Sequence, residues 1–261
     1  MKRRRRICAY LACIAAVTLM LTACDTDDAS NKTDSKGGFT MTELTKQALI
    51  LNGTDMDKFN ADNPEVSETT LIESVEALEN TLAKKYPGID FEMTAYIPGG
   101  ILEDYDEFSL QPVGKPAEAF TAEVHSDGKC TDSYYGVIKT AEYEALLSGK
   151  IAAAEPSNQV FSTINYQFDD AWDASAALEK AVSETGMYAY TWILLAPGDA
   201  APADRAEAVK ALLSEAGLKG DYAVYVMLDD ALKLTKAEAF EKIPANSSAQ
   251  VYSDIVRFII P

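Results

Sequence analysis

The sequence predicts an α+β fold with two small subdomains, each an antiparallel or mixed sheet with helices packed on one face. Apolar residues recur at helical spacing in some segments and alternate with polar residues in others, as in half-buried strands. Pro-Gly and Asp-Gly pairs separate these segments, as expected for turns. The clearest break is AAAEPSN at 152–158, so we place an N-terminal subdomain at 39–152 and a C-terminal subdomain at 153–261.

The first half is predicted to begin with two helices. Thr40-Met41-Thr42-Glu43 matches a capping box, which predicts a short helix directly behind it. Ser67 is the predicted N-cap of a longer helix that Pro87-Gly88 ends. Residues 89–95 then alternate between apolar and polar side chains, which predicts a strand with one buried face.

More strands and a helix are predicted before the break. Pro112 indicates an edge strand, because proline cannot donate a hydrogen bond to a neighbouring strand. Asp127-Gly128 indicates a tight hairpin, because these residues accept the positive φ angles of a two-residue turn. The predicted elements are a strand through Phe108 and Leu110, a strand over 120–125, a return strand through 134–138, and a helix from Thr140 to Gly149.

The second half is predicted to alternate strands and helices. Residues 187–196 are apolar almost throughout, which predicts a central strand covered on both faces. The other predicted elements are a strand over 160–168, a helix ended by Gly186, a helix from Pro202 ended by Gly217, a strand over 222–228, a helix capped by Thr235 and Glu238 and stopped by Pro244, and a strand over 251–260.

The N-terminus has the organisation of a signal peptide, predicted over 1–23. Lys2 and Arg3–Arg6 form a basic head, and residues 7–21 form an apolar run of 15 residues. That run is shorter than the roughly 20 residues of a membrane-spanning helix, although an uncleaved single-span anchor is the alternative. Leu21-Thr22-Ala23-Cys24 resembles the lipobox of bacterial lipoproteins. The resemblance implies cleavage before Cys24, a diacylglyceryl group with palmitate-type fatty-acyl chains on its thiol, and attachment at the extracytoplasmic face of the cell membrane.

The segment after the predicted anchor reads as a tether, and the mature chain as strongly acidic. Residues 24–38 are polar and lack large apolar side chains, so we expect a disordered tether. Without the five basic residues of the leader, 18 basic groups stand against 41 acidic ones, a net charge of −23. Such a surface repels nucleic-acid backbones and anionic lipid, so the membrane is expected to be reached through the lipid on Cys24 alone.

Cysteine and histidine usage limits the possible site chemistry. After cleavage only Cys24 and Cys130 remain, so the fold is expected to rest on its core and not on disulfides. A tetrahedral Cys/His metal site needs about four ligands, and only Cys130 and the single histidine, His125, are available. We therefore predict no metal and no cofactor.

The middle of the first half carries a second resemblance. The pattern Phe120-x-Ala122 … Asp127-Gly128-Lys129 … Asp132-x-Tyr134, followed by an acidic helix, resembles uncharacterised secreted proteins and lipoproteins of Gram-positive gut bacteria. The similarity spans residues 70–150 and implies a bacterial extracytoplasmic setting. It implies no catalytic residues, because no activity is assigned to those proteins.

Carboxylate clusters are the first candidates for chemistry. They lie at Glu103-Asp104-Asp106-Glu107, Asp169-Asp170-Asp173 and Asp229-Asp230, all in predicted turns, where solvated loop charges are the simplest interpretation. Paired carboxylates could also hydrolyse glycosides, and the second cluster could bind calcium weakly through oxygen ligands. His125 is interpreted as a surface histidine, and Cys130 as a half-buried small residue, because no nucleophile motif accompanies either.

An aromatic row is the remaining candidate. Tyr188, Tyr190 and Trp192 alternate along one predicted strand and therefore share a face. Exposed, the row could stack on sugar rings or peptide side chains. We interpret it as core, because the opposite face of the strand is apolar as well.

These observations predict a lipid-anchored extracytoplasmic protein that is a non-enzymatic binding or interaction module for an unknown protein or small-molecule ligand. Two other functions remain open. One is a cell-envelope hydrolase that uses a carboxylate cluster, and the other is a structural accessory subunit of a membrane complex. A deep cleft with converging carboxylates would favour the hydrolase, and an exposed apolar patch of several hundred Å² would favour the accessory subunit.

Overall fold

The computed structural model describes residues 41–100, 103–228, 234–243 and 251–261. These residues contain helices and two four-stranded sheets, which confirms the predicted α+β class. Predictions for the leader at 1–23, the tether at 24–38 with Cys24, Thr40, Asp229-Asp230 and Pro244 lie outside the described residues.

The first half contains α1 (Glu43–Leu51), α2 (Val66–Lys85), β1 (Phe91–Ile97), β2 (Tyr105–Pro112), β3 (Phe120–His125), β4 (Cys130–Asp132) and α3 (Tyr134–Ile151). The second half contains β5 (Asn158–Ile164), α4 (Leu178–Thr185), β6 (Ala189–Leu195), α5 (Pro202–Glu215), β7 (Gly220–Met227), α6 (Lys236–Lys242) and β8 (Tyr252–Ile260).

The first sheet is antiparallel throughout, in the order β1-β2-β3-β4. Its core packs against α1 and α2, whose apolar residues recur every three or four positions. The predicted strand over 120–125 and the hairpin at Asp127-Gly128 are confirmed, with Gly128 at a φ of 82°. The predicted two-residue turn is wrong, because the His125 N–H donates to the Lys129 carbonyl and leaves a loop of three residues. The core of this half is formed by Leu49, Leu71, Val75, Leu78, Leu82, Phe108, Leu110, Phe120 and Tyr134.

Two predicted helix caps and one edge strand are wrong. The first helix is capped by Thr42, two residues beyond the predicted start, because the Thr42 hydroxyl accepts the Thr45 N–H at 3.0 Å. The second helix begins with a capping box between Glu65 and Glu68, which places Ser67 inside the first turn. Pro112 ends β2, which lies between β1 and β3 and is therefore not an edge strand.

The predicted return strand over 134–138 is also wrong, because α3 begins at Tyr134 and not at Thr140. The hairpin partner is only the three-residue strand β4. Tyr134 belongs to the core of the first sheet, whereas Tyr135 belongs to the core of the second. A helix that starts between two cores buries consecutive residues, and consecutive apolar residues resemble a buried strand in sequence.

The second sheet is mixed, in the order β5-β6-β7-β8. β6 and β7 are parallel, with α5 as the crossover, and the other pairs are antiparallel. The prediction that 187–196 forms a central strand is confirmed by the position of β6. The predicted strand over 160–168 ends at Ile164, and Phe168 instead forms a single bridge with Asp132 of β4.

The two faces of the second sheet are covered unequally. Helices α3, α4 and α5 cover one face, on a core that includes Leu147, Leu178, Ile193 and Val209. The seven-residue α6, begun by the predicted capping box of Thr235 and Glu238, covers part of the other. No helix within the described ranges is long and apolar enough to cross a membrane.

Candidate functional site

Among the described residues of the second half, the partly covered face of the second sheet carries most of the exposed aromatic and branched apolar side chains. We call it the aromatic face and define it by Tyr190, Trp192, Phe240, Ile255 and Ile259. Tyr190 is 42% exposed and Ile259 is 60% exposed. Large apolar side chains at such exposure, gathered on one face, are typical of interaction surfaces.

Strand register builds this face. Tyr190 of β6 pairs with Asp221 of β7, which pairs with Ile259 of β8, so these three side chains form one row across the sheet. Two residues along β6, Trp192 pairs with Ala223, which in turn pairs with Arg257. The rows therefore mix rings and branched side chains with one acidic and one basic group.

Trp192 connects the exposed part of the face to its covered part. Its ring meets Tyr225 edge-to-face at 5.7 Å and Phe240 edge-to-face at 4.7 Å between centroids. The side chain is half-buried, and Phe240 on α6 remains 41% exposed. Trp192 therefore lies at the bottom of the surface, and the more exposed Tyr190 and Phe240 lie at its edges.

The interpretation of the aromatic row as core is wrong for Tyr190, and it holds only in part for Tyr188 and Trp192, which are half-buried. The physical reason is the length of α6. It packs over Leu194 and Tyr225, at the end of the strands away from Tyr190, and leaves the other end uncovered.

Polar groups flank the rings. Burial, followed by a hydrogen bond with Asp221 and the negative charge of that carboxylate, raises the pKa of Tyr188 to about 12. Burial likewise raises the pKa of Tyr225, which the nearby Arg257 guanidinium partly opposes. Both phenols therefore stay protonated at neutral pH and remain able to donate hydrogen bonds.

A second group of ionisable residues lies on the open face of the first sheet. Strand pairing sets Glu107 directly opposite Glu123, and Tyr105 directly opposite His125. His125 Nδ1 lies 3.5 Å from an Asp104 oxygen, and its Nε2 lies 3.9 Å from Glu123. Burial raises the pKa of Glu123, with Glu107 adding to the shift and His125 opposing it. The sheet thus brings together part of one predicted carboxylate cluster and the predicted surface histidine.

The other predicted carboxylates have separate structural partners. Asp106 accepts hydrogen bonds from the Gly99 N–H at 2.8 Å and the Ser74 hydroxyl at 2.9 Å. Asp169 accepts a hydrogen bond from the Ala171 N–H, and Asp170 accepts one from the Lys84 amine. Asp173 accepts hydrogen bonds from the backbone N–H and the hydroxyl of Ser175. Among the described residues, no group of three or more His, Cys, Asp or Glu side chains is arranged to hold a metal ion.

Cys130 is more buried than predicted. Only 6% of the residue is exposed, and burial raises its pKa to about 12. A thiol in that state carries almost no thiolate at neutral pH, and the thiolate is the nucleophilic form. The geometry therefore gives Cys130 a packing role.

Sequence reasoning missed a buried polar junction at the end of α2. The side chains of Lys85 and Asp132 are both fully buried, with Lys85 Nζ 2.5 Å from Asp132 Oδ2. Nζ also donates to the Phe168 carbonyl at 3.0 Å. Asp132 Oδ1 accepts the Tyr86 hydroxyl at 2.7 Å and the Tyr134 N–H at 2.9 Å.

The signal for this junction was present in the sequence. Lys85 follows Leu78 and Leu82 at helical spacing and thus falls on the buried face of α2. Asp132 alternates with Cys130 and falls on the buried face of β4. Charged residues on two apolar faces indicate a buried pair, because an unpaired buried charge is very costly.

Comparison with protein-family models, with curated proteins and with solved structures finds no significant match to this chain. The function is therefore argued from the sites themselves.

Proposed function

We propose that this protein is a lipid-anchored extracytoplasmic binding module without enzymatic activity, held to the cell membrane by lipid on Cys24. The aromatic face is the proposed ligand surface. The observation that carries the proposal is the exposure of Tyr190 and Phe240 on either side of the half-buried Trp192. An open surface of this kind suits a ligand that lies across it.

A neutral saccharide chain is the ligand class that this chemistry favours. Aromatic rings stack on the apolar faces of sugar rings, and Asp221 and Arg257 lie in the same rows to hydrogen-bond with sugar hydroxyls. The mature chain carries a predicted net charge of −23, which disfavours anionic polymers. The polar groups within the rows also disfavour a purely apolar partner.

Binding to insoluble neutral polysaccharides (cellulose, chitin, xylan and mannan) tests this proposal. We expect the full chain to sediment with at least one of them and Tyr190→Ala to lose most of that binding. Tyr105→Ala is the matched control, since it removes a tyrosine from the other sheet. Equal binding by the Tyr190 variant, or no binding to any polymer, would contradict the assignment.

The anchor is tested separately. Cells that produce the parent and Cys24→Ser are labelled with a fatty-acid analogue and fractionated. We expect label and membrane retention in the parent and neither in the variant, because Cys24 is the proposed lipid attachment site and precedes every element that the structure describes. Label that persists on the variant would refute the anchor assignment.

One observation favours the hydrolase as a second candidate. Glu107 and Glu123 face each other beside His125, and the raised pKa of Glu123 suits a general acid. Release of soluble sugar from the same polysaccharides by the parent, lost in Glu123→Gln, would establish this function in place of the first. For the accessory-subunit alternative, a stoichiometric membrane protein that co-purifies from detergent-solubilised membranes would be the supporting result.

A further inference from the structure

The junction of Lys85 and Asp132 brings an amine and a carboxyl group together where no solvent reaches. Both side chains have no exposed surface. Lys85 Nζ lies 2.5 Å from Asp132 Oδ2. Because Oδ2 is bonded to the carboxyl carbon, Cγ, over about 1.2 Å, Nζ lies at most about 3.7 Å from Cγ. Reacting atoms about 3–3.5 Å apart are in the range from which a bond can form, and such fixed proximity strongly accelerates a reaction.

The two carboxyl oxygens have different partners. Oδ2 faces Lys85 Nζ, whereas Oδ1 accepts hydrogen bonds from the Tyr86 hydroxyl and the Tyr134 N–H at 2.7 and 2.9 Å. Two donors at about 2.7–3.1 Å from one oxygen are the arrangement that stabilises the oxyanion of a tetrahedral intermediate. Burial raises the pKa of Tyr86 well above its usual range, as do the charge and hydrogen bond of Asp132, so this phenol keeps its proton.

The amine is oriented as well. Nζ donates to the Phe168 carbonyl at 3.0 Å, which fixes one of its protons away from the carboxyl group. Asp132 is held in place by two backbone hydrogen bonds to Phe168, at 3.0 and 2.7 Å. The Lys85 amine and the Asp132 carboxyl group are therefore both held in place by contacts that their residues make with Phe168.

We propose that Lys85 and Asp132 condense spontaneously to an intramolecular amide crosslink. A proton moves from Nζ to Oδ2, which gives a neutral amine and a carboxylic acid. Nζ then attacks Cγ, and the carbonyl electron pair moves to Oδ1. A second proton passes from Nζ to Oδ2, the Cγ–Oδ2 bond breaks, and one water leaves as the carbonyl at Oδ1 re-forms. No oxidant, cofactor or other reactant is required.

The surroundings favour the product. The amide N–H can keep its hydrogen bond to the Phe168 carbonyl, and the amide oxygen can keep both donors on Oδ1. The reaction also replaces a buried ion pair, which is costly to desolvate, with a neutral group. Exclusion of water slows hydrolysis back to the acid and the amine. The crosslink joins the end of α2 to the end of β4.

Tryptic peptide mapping of the purified full chain tests this inference. Trypsin cannot cleave after an acylated Lys85 or between Lys115 and Pro116, so the crosslink gives a branched peptide that joins Lys85–Lys129 to Cys130–Lys139. Its mass is expected to be about 18 Da, one water, below the sum of the two peptides, since condensation changes the covalent structure. Two separate peptides with cleavage after Lys85 would overturn the proposal.

Two variants test the assigned roles. Asp132→Ala must give no branched peptide, and a branched peptide in this variant would refute Asp132 as the partner. Tyr86→Phe keeps the ring but loses the donor to Oδ1, so we expect the crosslink to form roughly 10²-fold more slowly after synthesis. An unchanged rate in a Tyr86→Phe protein that folds normally would refute the oxyanion role of Tyr86.

Discussion

Truncation of Trp192 separates the structural and the binding role of the aromatic face. A fully buried tryptophan changed to alanine typically costs about 3–5 kcal/mol. Trp192 is only half-buried, so its apolar contribution is smaller, but it also makes edge-to-face contacts with Tyr225 and Phe240. Ring pairs of this kind contribute about 0.5–1.5 kcal/mol beyond area burial. We therefore expect Trp192→Ala to lower the free energy of unfolding by about 2–4 kcal/mol.

Urea denaturation of the parent and the variant measures this loss. With an m-value of about 2 kcal/mol per molar urea, the midpoint should fall by roughly 1–2 M. Tyr190→Ala is the matched comparison, because Tyr190 lies on the same face but is 42% exposed, and we expect its midpoint to stay close to the parent. If Trp192→Ala unfolds at the midpoint of the parent, the inference that Trp192 supports the face is refuted.

Three further outcomes follow from the structure. The pKa of Glu123 is raised in the folded state, mainly by burial, so the folded protein favours the protonated carboxyl group. The stability that this group contributes is therefore fully present below its pKa in the unfolded chain and is lost as pH rises through its pKa in the folded protein. Glu123→Gln should therefore be more stable than the parent at pH 7, and thermal melts at pH 4 and pH 7 that show the same difference would contradict this. Cys130, whose pKa burial raises to about 12, should react with iodoacetamide only after denaturant is added, and fast labelling of the native protein would refute its packing role. Gly220→Ala places a Cβ 2.3 Å from the Ala189 carbonyl oxygen, so it should lower the melting temperature by many degrees. An unchanged melting temperature would contradict this, because it would mean that β6 and β7 can move apart at little cost in stability.

Local signals in the sequence were sufficient for most elements. The Asp127-Gly128 hairpin, the stop at Gly186 and the capping box of Thr235 depend on residues that are close in sequence, and all three are confirmed. The start of α3 could not be predicted in this way. Its first turn is buried on more than one side, and a single sequence does not show which cores will surround it.

The functional surfaces were predicted less well than the elements. Exposure of Tyr190 depends on how far α6 extends over β6, which is a property of tertiary packing. The Glu107 and Glu123 pairing depends on strand register, and these residues lie in separate segments of the sequence. The junction of Lys85 and Asp132 was visible as charges on apolar faces, but their partnership required the fold.

The bridge between Asp132 and Phe168 also sets an order of events as the chain emerges from its N-terminal end. Lys85 and Asp132 emerge before Phe168, and until Phe168 follows, Lys85 lacks the carbonyl that accepts its second hydrogen bond. The first sheet can form its ladder early, but its buried charges are fully satisfied only after β5 has been made. A polypeptide released before residue 168 would keep an incompletely satisfied lysine at the boundary of its core, and quality-control proteases would be expected to remove it.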